Sequence, residues 1–213
     1  MLNKIIRDHA RLTALAVLAL AVIPADARNG VRIGLGAGLV QADDVESVTS
    51  NFNQDRYVSA TGITGDDEGN SFTFTLGYQY RALLGIEVGF VDFGNYTFSG
   101  VLNEQPAIED PDRGEWRLES RVTYIGYTPE IRLTERIELT GLVAAFTSNA
   151  KVFVSQPFQA RQTFDENSSG IGYGAAIKYN FTDFAIQAGA KQFAGVTEDA
   201  DMTLFDVGVY FTF

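Results

Sequence analysis

Apolar side chains return at every second position in eight separate stretches between Val31 and Phe213. That period decides the backbone, because residues two apart share a face only on a strand. Each stretch is close to the ~9–11 residues that carry a tilted β-strand across a bilayer. In the first, Val31, Ile33, Leu35, Ala37 and Leu39 oppose Arg32, Gly34, Gly36 and Gly38. The second sets Phe72, Phe74, Leu76, Tyr78 and Tyr80 against Thr73, Thr75, Gly77 and Gln79, and the third sets Leu84, Ile86, Val88 and Phe90 against Glu87 and Gly89. The fourth opens with Trp116, Leu118, Val122 and Tyr124 against Arg117, Glu119, Arg121 and Thr123. The fifth carries Ile137, Leu139, Val143 and Ala145; the sixth runs cleanly from Ile171 to Phe181; the seventh carries Phe184, Ile186, Ala188 and Ala190. In the eighth, Phe205, Val207, Val209, Phe211 and Phe213 face away from Asp206, Gly208, Tyr210 and Thr212.

Alternation alone leaves the outside undecided, since a soluble eight-stranded barrel buries its apolar face. The other face here is mostly Gly, Ala and Thr, punctuated by Arg32, Glu87, Arg121, Glu138, Lys178, Lys191 and Asp206. Glycines weaken a strand without adding solubility and suit the crowded interior of a narrow barrel. Tyr78, Tyr80, Tyr179, Phe181 and Phe184 flank short links, as aromatic residues do at a membrane interface. The apolar face is therefore expected outward and the seven charges inward. Link lengths point the same way. Short links at 81–83, 134–136 and 182–183 alternate with longer ones at 43–70, 99–114, 148–170 and 196–200. Transmembrane barrels place short turns and both termini on the periplasmic side and long loops outside. The expected fold is all-β: an eight-stranded antiparallel up-and-down transmembrane β-barrel. Around Tyr124-Ile125-Gly126-Tyr127 the apolar parity changes and Pro129 sits inside the segment; a bulge near Gly126 would shift the phase, and its position is left open by the sequence.

Residues 1–27 read as a cleaved signal peptide, with a basic start (Lys4, Arg7, Arg11), an apolar core at 12–23 and a small-x-small ending at Ala25-Asp26-Ala27. The barrel domain is then expected over 28–213, in the bacterial outer membrane after export through the periplasm. The one histidine, His9, falls in the leader, and the chain has no cysteine. That removes Ser-His-Asp and Cys-His catalysis and His or Cys metal sites, so neither catalysis nor a cofactor is expected. A net charge of −11 argues against nucleic acid. The Gly34-Leu35-Gly36-Ala37-Gly38 run lies inside a strand pattern with no helix after it, which makes it a row of inward glycines and not a nucleotide loop.

Three segments resemble one family. Gly77-Tyr78-Gln79-Tyr80 followed by residues 84–94 (LGIEVGFVDFG) looks like the second hairpin of OmpA-like transmembrane domains and their OmpW-like single-domain relatives. Residues 179–186 (YNFTDFAI) resemble their short inter-strand turn, and residues 207–213 (VGVYFTF) resemble their C-terminal assembly signal. The resemblance implies an outer-membrane barrel. It also implies that Phe205, Val207, Val209, Phe211 and Phe213 are read by the outer-membrane assembly machinery. Since the chain stops at Phe213, no peptidoglycan-binding domain is expected.

The inward charges admit two readings: a salt-bridge network that plugs the barrel, or a narrow ion path. The expected loops are acidic, with Asp43, Asp44, Glu46, Asp55, Asp66, Asp67 and Glu68 in the first and Glu104, Glu109, Asp110 and Asp112 in the second. They are either a solvated, repulsive surface or oxygen ligands for divalent cations. Expected partners are outer-membrane lipid and lipopolysaccharide, with host or surface ligands at the loops. The favoured function is a non-enzymatic membrane-stabilising and surface-interaction scaffold; the alternative is a small porin-like channel for ions or small apolar molecules.

Overall fold

A computed structural model describes residues 30–42, 58–65, 68–81, 83–104, 113–155, 162–197 and 201–213. The leader and most of the acidic first loop lie outside the described residues. The period-two stretches form β1 (Gly30–Ala42), β3 (Glu68–Arg81), β4 (Leu84–Glu104), β5 (Arg113–Tyr127), β7 (Ile137–Ser155), β8 (Gln162–Asn180), β9 (Phe184–Ala194) and β10 (Met202–Thr212). These eight pair antiparallel in the circuit β1–β3–β4–β5–β7–β8–β9–β10 and back to β1. Closure is visible at Gly36, which faces Gly208 of β10 on one side and Thr73 of β3 on the other. A closed circuit satisfies its own backbone and leaves no edge for lipid to meet.

Two short strands stand outside this count. β6 (Glu130–Arg132) continues β5 beyond Thr128 and Pro129 and pairs with β7. Pro129 has no N–H for the ladder. The pairing bridges it because Thr128 N donates to Gly85 O at 2.9 Å and Gly141 N donates to Pro129 O at 2.8 Å. β2 (Val58–Gly65), within the first long link, pairs with the far end of β4.

The short turns gather at the end where β1 starts and β10 finishes, and there Val31 and Phe213 exchange backbone hydrogen bonds of 3.1 and 2.9 Å. At the other end the rim is uneven. β4 has 21 residues and β7 and β8 have 19 each, against 11 in β9 and in β10. Much of what reads as long link at 99–114 and 148–170 is therefore strand, projecting beyond the barrel with β2 at its edge.

On β1, β3, β7, β8, β9 and β10 the expected faces hold: Leu35, Phe74, Val143, Ile177, Ile186, Val207 and their alternates lie exposed. An all-round belt of this kind is costly in water and favourable in lipid. Near the termini it carries an aromatic chain, Tyr179 to Phe181 at 4.9 Å, Phe181 stacked on Phe184 at 4.6 Å, and Phe184 to Phe211 at 6.5 Å. Toward the projecting end the outward row turns polar on successive strands, at Gln41, Asn70, Asp92, Arg121, Thr147, Ser169, Gln192 and Thr203. These two boundaries bracket the height of an apolar membrane core.

The fourth sequence stretch departs from expectation. β5 pairs with β7 in one unbroken register from Glu115↔Ser155 to Tyr127↔Val143, so there is no bulge near Gly126. Leu118, Val122 and Tyr124 point inward and are buried, while Arg121 is outward with a side chain 60% exposed. The extra residue lies in β4: Asp92 faces Arg121 and Asn95 faces Glu119, three steps against two. Gly94 takes it up in the left-handed region, with φ +77° and its N–H on Asp92 Oδ1 at 2.9 Å. A Cβ there would sit 2.4 Å from Asn70 O, so glycine is required. The amphipathic look of 118–124 is real but inverted, because Leu118, Val122 and Tyr124 fill the lumen and Arg121 faces outward.

Candidate functional site: the barrel lumen

Inward side chains divide the lumen into a charged half toward the termini and an apolar half toward the projecting end. The charged half centres on Glu130, brought inward by the same parity that buries Tyr124, Gly126 and Thr128. Its carboxylate accepts both terminal amino groups of Arg32, the second at 2.8 Å, and also accepts from Lys178 Nζ. Arg32 Nη1 additionally donates to Gln79 Oε1 at 3.3 Å. Lys178 Nζ reaches Glu138 Oε2 at 2.7 Å, and Arg132 at the rim lies 3.7 Å from the same carboxylate. A partly buried Arg32 and a buried Lys178 thus share two buried carboxylates, the pairing that charge inside a barrel requires.

One level inward, Lys191 Nζ donates to Asp206 Oδ2 at 2.7 Å, and both side chains are 5% exposed. On the facing wall, Tyr124 OH donates to Glu87 at 2.6 Å. The glycines of these strands make the room. A Cβ at Gly89 would lie 2.2 Å from Tyr124, and one at Gly174 would lie 2.9 Å from Lys191 Cγ.

Beyond this level the lumen is apolar. Phe193 is fully buried at its axis, with ring centroids 5.7 Å from Phe93, 5.6 Å from Phe146 and 5.8 Å from Tyr124. Val91, Val122, Met202 and Leu204 pack around these rings. Edge-to-face aromatic contacts of this kind add to the burial itself. The turn after β9 closes the top. Gly195 adopts φ +79°, Ser168 Oγ donates to its carbonyl at 2.7 Å, and Ser148 Oγ donates to the carbonyl of Val196. Val196 and Thr197 are consequently buried inside the barrel mouth. In the charged half, Arg32, Gln79, Glu87, Glu130, Lys178 and Tyr210 border a cavity of about 20 Å³, room for about one water.

Of the seven charges expected inside, six lie in the lumen: Arg32, Glu87, Glu138, Lys178, Lys191 and Asp206. Only Lys178 with Glu138 and Lys191 with Asp206 pair within that set. Arg121 is the correction; its Nε donates outward to Asp92 Oδ2 at 3.0 Å. Glu130 was not among them, because the parity change around Gly126, with Pro129 inside the segment, left the facing of the residues after it undecided; unbroken alternation of burial from Leu118 through Thr128 is what reaches it. The apolar plug was also unforeseen. The acidic cluster at 43–68 and Glu109, Asp110 and Asp112 lie outside the described residues or have no described side chain. Phe205, Val207, Val209, Phe211 and Phe213 form one exposed outward row.

No family model matches the chain, and no curated protein matches it. Among solved structures it is similar to the Ail attachment invasion locus protein of Yersinia pestis, in complex with the heparin analogue sucrose octasulfate, at 17% identity over 86% of this chain and 99% of that one, TM-score 0.47. It is also similar to Neisserial surface protein A, at 14% identity over 89% and 99%, TM-score 0.49. A third is the outer membrane protease OmpT from Escherichia coli, at 11% identity over 91% and 99%, TM-score 0.46. The barrel assignment stands on the strand pairings above, not on these distant likenesses.

Proposed function

We propose that the chain is a bacterial outer-membrane barrel acting as a non-enzymatic scaffold, which stabilises the membrane and presents its projecting strands and loops at the surface. The observation that carries this reading is the doubly blocked lumen: a compensated charge layer lies beneath an aromatic plug, with Val196 and Thr197 buried above it. An ion would have to displace buried pairs and rings together, and the water-sized cavity bordered by described residues in the charged half is lined mostly by polar residues. Residues 28–213 contain neither His nor Cys, which supports the non-enzymatic reading. Residues 1–27 serve as the export leader, and the row ending at Phe213 serves as the assembly signal. Deleting the gene tests the reading. A scaffold predicts greater sensitivity to detergents with unchanged solute uptake; reduced uptake without greater sensitivity would favour the channel.

A further inference from the structure

Arg121 is more than a displaced member of the lumen set, because its neighbours on the outer wall are also polar and mostly charged. Its register partner on β7 is Asn149, and two positions further out Glu119 stands beside Lys151. Arg117 lies four positions from Arg121 on the same face of β5, about 13 Å along the strand. This patch begins where the belt of Ile125, Val143 and Ile171 ends, at the level where the head groups of the outer leaflet would lie. We propose that Arg117, Arg121 and Lys151 form a binding site for the phosphate groups of an outer-leaflet glycolipid whose acyl chains lie on those three apolar side chains.

The inference rests on the outer-membrane reading above and names one partner for it. Each cation has a carboxylate beside it: Glu119 at 2.9 Å from Arg117, Asp92 at 3.0 Å from Arg121 and Asp165 at 3.7 Å from Lys151. Exposed pairs of this sort hold weakly, so the carboxylates orient the cations without sequestering them. Arg121 shows how. Asp92 is fixed by the Gly94 N–H and takes only Nε, leaving both terminal amino groups of Arg121 without a partner among the described residues. Those two groups form the fork that grips phosphate in bidentate fashion. Asn149, itself held by an Asn167 contact of 2.8 Å, supplies a neutral polar neighbour suited to a sugar.

The test uses the folded full barrel in detergent and measures retention of purified lipopolysaccharide against the same material stripped of phosphate. Wild-type protein is expected to hold the phosphorylated form at least about tenfold more tightly. The combined variant Arg117→Gln, Arg121→Gln, Lys151→Gln is expected to lose that preference. Arg136→Gln, at the opposite rim, is expected to keep it. Undiminished preference in the combined variant, or an equal loss in Arg136→Gln, would overturn the site. Inorganic pyrophosphate alone is expected to bind far more weakly; equal binding would mean a soluble polyanion is read and would overturn the lipid assignment. Insertion into vesicles, followed by gel migration with and without boiling, separates the two premises. A barrel that inserts but ignores phosphate refutes the site alone, and a chain that does not insert refutes the membrane reading too.

Discussion

Removing the carboxylate of Glu130 takes from Arg32 its carboxylate partner and leaves Lys178 with Glu138 alone. Breaking one side of a buried ion pair typically costs ~3–5 kcal/mol, whereas an exposed pair is worth under ~1 kcal/mol. Glu130→Ala is therefore expected to lower unfolding free energy by roughly 3–5 kcal/mol, and Arg121→Ala by less than ~1 kcal/mol. Urea titration in lipid micelles, followed by the fluorescence of the single tryptophan, Trp116, would check both; equal losses would contradict the inside–outside assignment. Phe213 poses a different question at the same scale. The residue is 75% exposed and its backbone makes the two terminal hydrogen bonds to Val31. Deleting it is expected to impair outer-membrane insertion in cells more than it lowers the stability of refolded protein. Normal insertion of the deletion would refute the assembly role.

At the scale of the element, β5 gives the sharpest check, because its sequence supports the wrong parity so well. The chain has no native cysteine, so single replacements report accessibility cleanly. A cysteine at Arg121 is expected to react with a hydrophilic maleimide, and one at Val122 is expected to stay unlabelled until the barrel unfolds; the reverse pattern would restore the opposite parity. Seven of the eight stretches were legible because Gly, Thr and charged residues inside contrast with Phe, Ile and Val outside. β5 was not, since its upper half faces a lumen that is itself apolar, and lumen and lipid then ask for the same side chains. Nor could the bulge be placed from the chain alone. Residues 92–95, Asp-Phe-Gly-Asn, show only a glycine, and its positive φ depends on the Asp92 hydrogen bond and the nearness of Asn70. Glu130 was hidden by Pro129, whose break in the ladder is repaired by tertiary hydrogen bonds that sequence does not display.

For the whole molecule, two unlike layers close one narrow tube. The charge layer pairs buried ions near the termini, and the rings of Phe93, Phe146 and Phe193 pack across the lumen toward the projecting end. The proposed scaffold role follows from such a closure, which would leave the outer wall and projecting strands as the surfaces that meet other molecules. That inference depends on the seal being intact in a bilayer. The direct test is planar-bilayer recording of the purified, refolded chain. The sealed barrel predicts a membrane whose conductance stays at the lipid baseline at moderate voltage, whereas stable, reproducible unitary currents would contradict it.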